Sequence, residues 1–289
     1  MFPGNFDYHR PGSVDEAIEL LGRFGAEAKI LAGGHSLVPM MKLRLAEPAN
    51  LIDVNGINDL KGIREVDDGI CIGAATTQAE VLASALLRES CSILPEASAL
   101  IADPQVRYCG TVGGNLANGD PGNDLPAVMM TLAATYRLRG PKGERSVAAR
   151  DFYKGVYFTE LGEDELLTEI RVPALASNQG VAYEKMIRKV GDYAIAAAAV
   201  IVSMNGANCE SASIALTNVG ETPLYAADAG ASLAGKSVTE DAIAEAARLA
   251  MAIATPVADL RGTVEFRTAM TGEMTRRAIR KAAARAGEG

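Results

Sequence analysis

The sequence predicts an α+β protein of two domains. Its 289 residues are 48% hydrophobic, which is enough apolar material for about two packed cores. Strand-like and helix-like patterns alternate along the chain, and Pro, Ser, Asn and Gly cluster at residues 173–180. Because domain boundaries fall in polar segments of this kind, we expect a first domain over residues 1–177 and a smaller second one over residues 178–289.

A helix, a strand and a second helix are predicted at the start of the chain. Ser13 and Glu16 form a capping box, and apolar residues then recur at helical spacing until Gly25. The segment AKILAGG predicts a short buried strand, and Ser36 is placed to cap the helix LVPMMKLRLA that follows. The chain therefore turns from strand to helix at two adjacent glycines.

The middle of the first domain is predicted to carry strands, a helix and a long polar loop. Residues 50–77 indicate strands joined by Asn-Gly and Asp-Asp-Gly turns. Thr77 and Glu80 form a second capping box, which opens a helix expected to run through about Leu87. Residues 103–126 are dense in Gly, Asn, Asp and Pro, and a long loop of this composition is more often functional than structureless.

The second domain is predicted as a sheet covered by helices. Residues 164–175 indicate a strand that leaves the first domain, and residues 180–220 suggest long strands around an Asn-Gly turn. Helices are expected from Thr239 and from about Val264. Basic residues between Arg276 and Arg285 indicate a solvated helix face, with docking of a partner as the alternative.

Charge and hydropathy exclude several functional classes. Lys and Arg total 28 against 36 for Asp and Glu, and the net charge of −8 argues against nucleic acid as a partner. No apolar run reaches the about 18 residues that span a bilayer, so no transmembrane segment is expected. The first ten residues lack the apolar core of a signal peptide, and we expect a cytoplasmic location.

The chain is also poor in reactive groups. Its four cysteines lie far apart without a C-x-x-C pair, so buried free thiols are expected rather than a zinc or 2Fe-2S site. His9 and His35 are the only histidines, and neither H-E-x-x-H nor G-x-S-x-G occurs. The sequence therefore predicts no catalytic residue and no metal ligand in this chain.

Two glycine pairs are the strongest candidate binding elements. The first lies in AGGHSL, residues 32–37, where backbone N–H groups between a strand and a helix can bind an anion. The alternative is that these glycines only supply positive φ angles for a turn. The second lies in TVGGN, residues 111–115, and the two loops together could bind one diphosphate from two sides. Neither fits the Rossmann or P-loop motif.

Two acidic residues follow the second loop closely. Asp120 and Asp124 lie in NGDPGNDLP, and either could accept hydrogen bonds from ribose or ribityl hydroxyls. The alternative for each is a turn or helix-capping residue. His35 is expected to pack beside the first loop or to hydrogen-bond a ligand, because no second histidine lies near it in sequence.

Four motifs together resemble one known family. They are AGGHSL at 32–37, TVGGN at 111–115, NDLP at 123–126 and YEKMIRKVGDYAIAAAA at 183–199. With them, essentially the whole chain resembles the FAD-binding medium subunits of the molybdenum hydroxylases. The stretches ADPQVRYCGTVGGNLANGDPGND and LTNVGETP are most similar to the branch of aerobic carbon monoxide dehydrogenase.

The resemblance implies a fold, a cofactor and partners. The fold is an FAD-binding domain of the vanillyl-alcohol oxidase (PCMH) type, with subdomains at about 1–55 and 56–177, followed by a smaller α+β C-terminal domain of the carbon monoxide dehydrogenase flavoprotein kind. The partners are a small 2Fe-2S subunit and a large molybdopterin subunit, in a dimer of heterotrimers. The flavin passes its electrons to a quinone or another respiratory acceptor. A peripheral location of the protein on the inner face of the cytoplasmic membrane is therefore the alternative to a purely cytoplasmic one.

The resemblance also implies site residues. The FAD diphosphate is expected against the two glycine loops, Asp124 against the ribityl or ribose region, and Lys185 and Tyr193 where the second domain approaches the flavin, with Tyr193 shielding one ring face. The implied cofactor-binding residues are Ala32, Gly33, Gly34, His35, Ser36, Leu37, Thr111, Val112, Gly113, Gly114, Asn115, Asp124, Lys185 and Tyr193.

Several functions remain open at this point. The first is an FAD electron-transfer subunit of a molybdenum hydroxylase, either carbon monoxide dehydrogenase or a related xanthine or aldehyde dehydrogenase type complex. The second is a self-sufficient flavin oxidoreductase, for which the chain offers no convincing substrate pocket or proton-handling residue. The third is a nucleotide-binding scaffold without redox work. The scarcity of catalytic groups favours the first, because the cofactor supplies the redox chemistry.

Overall fold

The N-terminal subdomain is a small parallel sheet with two helices. A computed structural model describes residues 2–286. The strands pair in the order β1-β3-β2, all parallel. The elements are β1 (Asp7–His9), α1 (Val14–Phe24), β2 (Ala28–Leu31), α2 (Leu37–Lys42) and β3 (Asn50–Asp53).

The helices of this subdomain test two predicted caps. The Ser13 hydroxyl accepts the N–H of Glu16 and α1 ends at Gly25, as predicted. Ser36 does not cap α2, because its own backbone is helical (φ −99°, ψ −53°) and no side-chain cap bond forms. A capping side chain needs the extended backbone that Ser13 has. Helix α2 also ends at Lys42, earlier than predicted, and Arg44 beyond it has a positive φ of 61°.

The second subdomain is a five-stranded antiparallel sheet with the order β4-β5-β10-β6-β7 and a cover of short helices. The predicted strand at 164–175 is its central strand, and the chain passes from the end of this strand to the C-terminal domain. The elements are β4 (Ile63–Val66), β5 (Gly69–Gly73), α3 (Gln78–Ala83), α4 (Ala85–Ser90), α5 (Ile93–Ala99), α6 (Pro104–Cys109), α7 (Val112–Ala117), α8 (Asp124–Thr131), β6 (Thr135–Gly140), β7 (Gly143–Ala148), α9 (Ala149–Phe152), β8 (Tyr153–Gly155), β9 (Phe158–Thr159) and β10 (Leu166–Val172).

Two stretches are more helical or more broken than the sequence indicated. The predicted loop at 103–126 contains α6 and α7, because Asp103 and Thr111 act as N-caps rather than as loop residues. The helix opened by Thr77 is interrupted at Ser84, whose backbone is extended and whose hydroxyl caps α4. In both places, polar residues of the kind common in loops are the N-caps of helices.

The C-terminal domain is an antiparallel sheet with three helices on one face. The strand order is β11-β12-β13-β14, with β15 paired to β13. Helices predicted from Thr239 and Val264 are confirmed. The elements are β11 (Gln179–Met186), β12 (Ala196–Asn205), β13 (Asn208–Thr217), β14 (Leu224–Tyr225), α10 (Ala227–Leu233), β15 (Lys236–Ser237), α11 (Glu240–Ile253) and α12 (Val264–Ala286).

The alanine-rich strand β12 is buried on both faces. Ala197 and Ala199 pack in a core shared with the first domain, and Ala196 and Ala198 pack in the core under α12. Because neighbouring strand residues point to opposite faces, small side chains let helices approach on both sides. The two domains therefore share a continuous hydrophobic core.

Charged residues reinforce this junction. Glu96 on α5 accepts hydrogen bonds from Lys281 at 2.9 Å and Arg285 at 2.5 Å, both on α12. Burial opposes ionisation of Glu96, yet these hydrogen bonds outweigh it and lower its pKa. The basic terminal helix therefore binds the first domain at these two positions instead of presenting only a solvated face. No helix within residues 2–286 is long and apolar enough to cross a membrane.

Candidate cofactor site

A cavity of about 620 Å³ lies between the two subdomains and the C-terminal domain. Both glycine loops line it, and Asp124, Lys185 and Tyr193 line it as well. Val112 is the exception among the predicted site residues, because it is buried beneath the cavity on α7. The volume falls in the range of small-molecule and cofactor pockets, roughly 300–1,000 Å³. The fold thus brings together residues that are about 160 positions apart in sequence.

The first glycine loop, residues 32–37, presents a row of backbone donors. Among residues 2–286, no acceptor pairs with the N–H groups of Gly33, Gly34, His35, Ser36 or Leu37. Gly34 has a φ of +74°, and a Cβ on Gly33 would lie 2.4 Å from the carbonyl oxygen of Cys109. Consecutive unpaired N–H groups form a concavity that binds anions such as phosphate. The loop therefore fits a diphosphate.

The second glycine loop, residues 111–115, was expected to bind the diphosphate from the other side, but it presents no second row of free backbone N–H groups. The N–H of Val112 donates to Thr76 O and that of Gly113 to Ala74 O, each at 2.8 Å. The N–H of Gly114 donates to the Thr111 hydroxyl at 3.1 Å. These three N–H groups are hydrogen-bonded within the protein and are not free for a ligand. The second loop therefore contributes side chains and the uncluttered surface of its glycines to the cavity wall, and not free backbone amides.

Close packing explains the glycines of the second loop. A Cβ on Gly113 would lie 2.5 Å from the Cβ of Ala74, and one on Gly114 would lie 2.7 Å from the Thr111 hydroxyl oxygen. Atoms do not approach so closely without displacement. Gly113 thus permits α7 to lie directly on the chain after β5, and Gly114 is exposed to the cavity.

Two orphaned acceptors line the same cavity. The side-chain oxygens Oε1 of Gln78 and Oδ1 of Asn115 are buried, and no donor within residues 2–286 reaches them. A buried polar atom without a partner costs about 1–3 kcal/mol. A ligand with N–H and hydroxyl donors would remove that cost, and FAD has such donors on its flavin, ribityl, ribose and adenine groups. The residues present therefore fit FAD.

Gln78 was not among the residues predicted from sequence. It stands at the first turn of α3, directly after Thr77, and is only 3% exposed. Its backbone N–H donates to Gly110 O at 2.9 Å, which places it beside the second loop. A polar residue on the buried side of a capping-box helix was the available signal, but burial of that side is a tertiary property.

Asp124 is held by the C-terminal domain. Its Oδ1 accepts the Tyr183 hydroxyl at 2.5 Å and its Oδ2 accepts Lys185 Nζ at 2.8 Å. Burial raises the pKa of Asp124, against the effect of Lys185 and Tyr183, and burial next to Asp124 raises the pKa of Tyr183. Lys185 Nζ also donates to Leu100 O at 3.0 Å, so two of its three donors are used.

Aromatic rings stand at the mouth of the cavity. Tyr193 is 45% exposed, its ring lies against Gly122, and the guanidinium of Arg261 is 6.0 Å from the ring centroid. Burial and the charge of Asp120 raise the pKa of Tyr193 to about 12, so its ring is neutral at physiological pH. Tyr157, which sequence reasoning missed, donates to Asp120 at 3.2 Å.

Asp120 therefore acts in the turn. Its Oδ1 accepts the N–H of Gly122 at 2.9 Å while its Oδ2 accepts Tyr157. The turn alternative raised from sequence accounts for both bonds.

The described residues offer little other chemistry. No group of three His, Cys, Asp or Glu within residues 2–286 could hold a metal ion. Burial raises the pKa of the Cys71 and Cys91 thiols to about 12. Cys109 is exposed, which corrects the expectation that all four thiols are buried. His35 is exposed on the first glycine loop.

The family follows from two matching models. Residues 4–175 match the FAD binding domain in molybdopterin dehydrogenase, and residues 181–282 match the CO dehydrogenase flavoprotein C-terminal domain. The chain belongs to the FAD-binding medium chains of the molybdopterin dehydrogenases. Membership confirms the resemblance drawn from the four motifs and the order of an FAD-binding domain and a smaller C-terminal domain.

Three members of this family show how similar the chain is. It is 54% identical over 286 residues to the carbon monoxide dehydrogenase medium chain of Afipia carboxidovorans, covering 99% of each chain. It is 34% identical to the glyceraldehyde dehydrogenase medium chain of Sulfolobus acidocaldarius, covering 98% of this chain and 100% of the relative. A solved carbon monoxide dehydrogenase from Hydrogenophaga pseudoflava, which lacks the Mo-pyranopterin moiety of its cofactor, matches with a TM-score of 0.98 and 50% identity over 99% of each chain.

Proposed function

We propose that this medium chain holds FAD in the cavity between its domains and is the electron-transfer subunit of an aerobic carbon monoxide dehydrogenase. The observation that carries the proposal is the single cavity lined by both glycine loops, Lys185 and Tyr193, in a chain 54% identical to a medium chain of that enzyme. The lower identity of 34% to a glyceraldehyde dehydrogenase medium chain favours the carbon monoxide branch over an aldehyde-type complex.

The partners complete the proposed reaction. A large molybdopterin subunit oxidises CO with water to CO2, and a small subunit carries 2Fe-2S clusters, in a dimer of heterotrimers. The chemistry that bound FAD supplies is electron transfer, from those clusters to a quinone or another respiratory acceptor.

The residues of this chain bind and orient the cofactor. The five N–H groups of residues 33–37 would donate hydrogen bonds to the diphosphate, and the oxygens of Gln78 and Asn115 would accept hydrogen bonds from hydroxyl or N–H groups of FAD. Lys185, fixed by Asp124 and Leu100 O, keeps its remaining donor for the cofactor. Tyr193, which lines the cavity, would shield one face of the flavin.

The absorption spectrum of the assembled complex tests this function. We expect flavin absorption equivalent to about one FAD per medium chain, which bleaches when CO is added under anaerobic conditions. The purified chain loaded with FAD should not bleach with CO. A complex without flavin would indicate a scaffold, and oxidation of CO or an aldehyde by the chain alone would indicate a self-sufficient enzyme.

A further inference from the structure

The first glycine loop is connected to a hydrogen-bonded chain of side chains across the parallel sheet. Tyr8 on β1 donates its hydroxyl to Oδ2 of Asp53, the last residue of β3. Oδ1 of Asp53 accepts both the backbone N–H of Asn55 at 2.9 Å and its side-chain amide at 2.7 Å. The Asn55 amide also donates to Ala32 O at 2.8 Å. Because β1, β3 and β2 are parallel, these groups meet at one edge of the sheet.

The Ala32 carbonyl is an acceptor that would compete with a bound diphosphate for the N–H groups of the first glycine loop. In a helix, the carbonyl of residue i accepts the N–H of residue i+4, so Ala32 O would accept the N–H of Ser36 if the helical bonds of α2 began two residues earlier. The structure has no such bond, and the first bond of α2 runs from Val38 N–H to Gly34 O at 2.9 Å. The Ala32 carbonyl accepts a hydrogen bond from the side-chain amide of Asn55 instead.

We propose that Asn55 is a positioning residue for diphosphate binding, which holds the Ala32 carbonyl away from the N–H groups of residues 33–37 while Asp53 and Tyr8 fix its own orientation. The inference rests on the proposed function, because it assumes that the first glycine loop binds the diphosphate of FAD. It assigns the loop's open form to a side chain 23 residues away. Without that side chain, the Ala32 carbonyl accepts the N–H of Ser36, and the loop has fewer N–H groups free to bind the diphosphate.

The burial and bonding of Asp53 support this role. Asp53 is 9% exposed, and the bonds that both its oxygens accept leave its carboxylate fixed. Asn55 is itself exposed, so its bonds rather than its packing hold it in place. Hydrogen bonds to a carboxylate are stronger than those between neutral groups, which lets one anchored carboxylate orient an exposed amide.

The test compares ADP and FAD binding by the full chain with Asn55 intact or replaced. We expect Asn55→Ala to raise Kd for both ligands about tenfold, the effect of losing about one oriented hydrogen bond. Asn55→Asp should do the same, because a carboxylate keeps the shape but cannot donate. Asn178→Ala is the matched control, since Asn178 is also exposed and donates its amide to a backbone carbonyl, Met204 O, and neither residue lines the cavity.

Hydrogen exchange separates positioning from loss of structure. In ligand-free Asn55→Ala, the released Ala32 carbonyl should capture the N–H of Ser36, so exchange at Ser36 should become slower than in the wild type. General loosening would make exchange there faster and would overturn the inference. Unchanged Kd in Asn55→Ala, or an equal rise in Asn178→Ala, would overturn it too. A wild-type chain that binds neither FAD nor ADP would instead refute the proposed function, and the inference with it.

Discussion

The two glycine loops share a sequence signal but use their backbones differently. In residues 33–37 no N–H group has an acceptor within the described part of the chain, whereas Val112, Gly113 and Gly114 all donate within the protein. Gly34 is needed for its positive φ, and Gly113 for close packing on Ala74. The difference teaches that a Gly-Gly pair indicates close backbone approach, and that the surrounding acceptors decide whether a ligand or the protein itself makes the approach.

Replacing Gly113 with Ala should have the largest effect, and on stability. A Cβ there would lie 2.7 Å from the Ala74 carbonyl oxygen as well as 2.5 Å from its Cβ, so α7 must shift. We expect the free energy of unfolding, measured in urea, to fall by about 2–3 kcal/mol. Gly22→Ala on the exposed face of α1, where a Cβ meets nothing within 4 Å, is the control and should not destabilise. Equal stability of both variants would show that the second loop is not tightly packed.

Replacing Gly114 with Val should act mainly on cofactor binding. Gly114 faces the cavity, and a branched side chain there would occupy space that we assign to the diphosphate. We expect Kd for FAD to rise about thirtyfold, or about 2 kcal/mol, with a smaller loss of stability than in Gly113→Ala. Flavin fluorescence titration measures this. Full flavin content in the variant would refute the assignment of the second loop to the cavity wall.

Replacing Gly34 with Ala should lower the free energy of unfolding by less than Gly113→Ala does. A non-glycine residue at a φ of +74° costs about 1–2 kcal/mol, and the strain is relieved if the turn relaxes. The relaxed turn should also bind ADP a few-fold more weakly, because its N–H groups no longer converge. Thermal unfolding and ADP titration of the same preparation measure both. A stability loss with unchanged ADP affinity would separate the glycine from the binding role of the loop.

Replacing Gln78 with Met should have the smallest effect, with opposite signs in stability and binding. Removal of an orphaned buried acceptor relieves a cost of about 1 kcal/mol, so stability should be unchanged or slightly higher. Kd for FAD should rise a few-fold, because a donor of the cofactor loses its acceptor. Gln105→Met, at an exposed position on α6, should change neither quantity. Loss of stability in Gln78→Met would mean that its amide is satisfied within the protein.

Local signals in the sequence predicted much of the fold. The N-cap at Ser13, the stop at Gly25 and the starts at Thr239 and Val264 depend on neighbouring residues alone, and all agree with the structure. The return bond of the predicted capping box does not form, because the Glu16 carboxylate accepts the N–H of Gly12 instead of that of Ser13. The helices inside 103–126 were missed because a capping Asp or Thr and a loop Asp or Thr look alike until the following turn forms.

The sequence predicted cavity-lining residues that lie in short motifs and missed residues that are defined by tertiary contacts. The two glycine loops are short motifs, and the resemblance to one family added Asp124, Lys185 and Tyr193 to them. Gln78 and Asn55 escaped, because the first is defined by an unpaired buried atom and the second by a bond to the carbonyl of Ala32. Both depend on which segments of the chain lie side by side in the fold, and the sequence alone does not state that.

Hydrogen exchange of individual backbone amides, measured by NMR on the full chain with and without ADP, tests the contrast between the loops most directly. We predict that saturating ADP slows exchange at residues 33–37, whose N–H groups gain phosphate acceptors. Exchange at residues 112–114 should already be slow and should not change, because those N–H groups are bonded within the protein. Protection that appears at 112–114 and is absent at 33–37 would contradict the account.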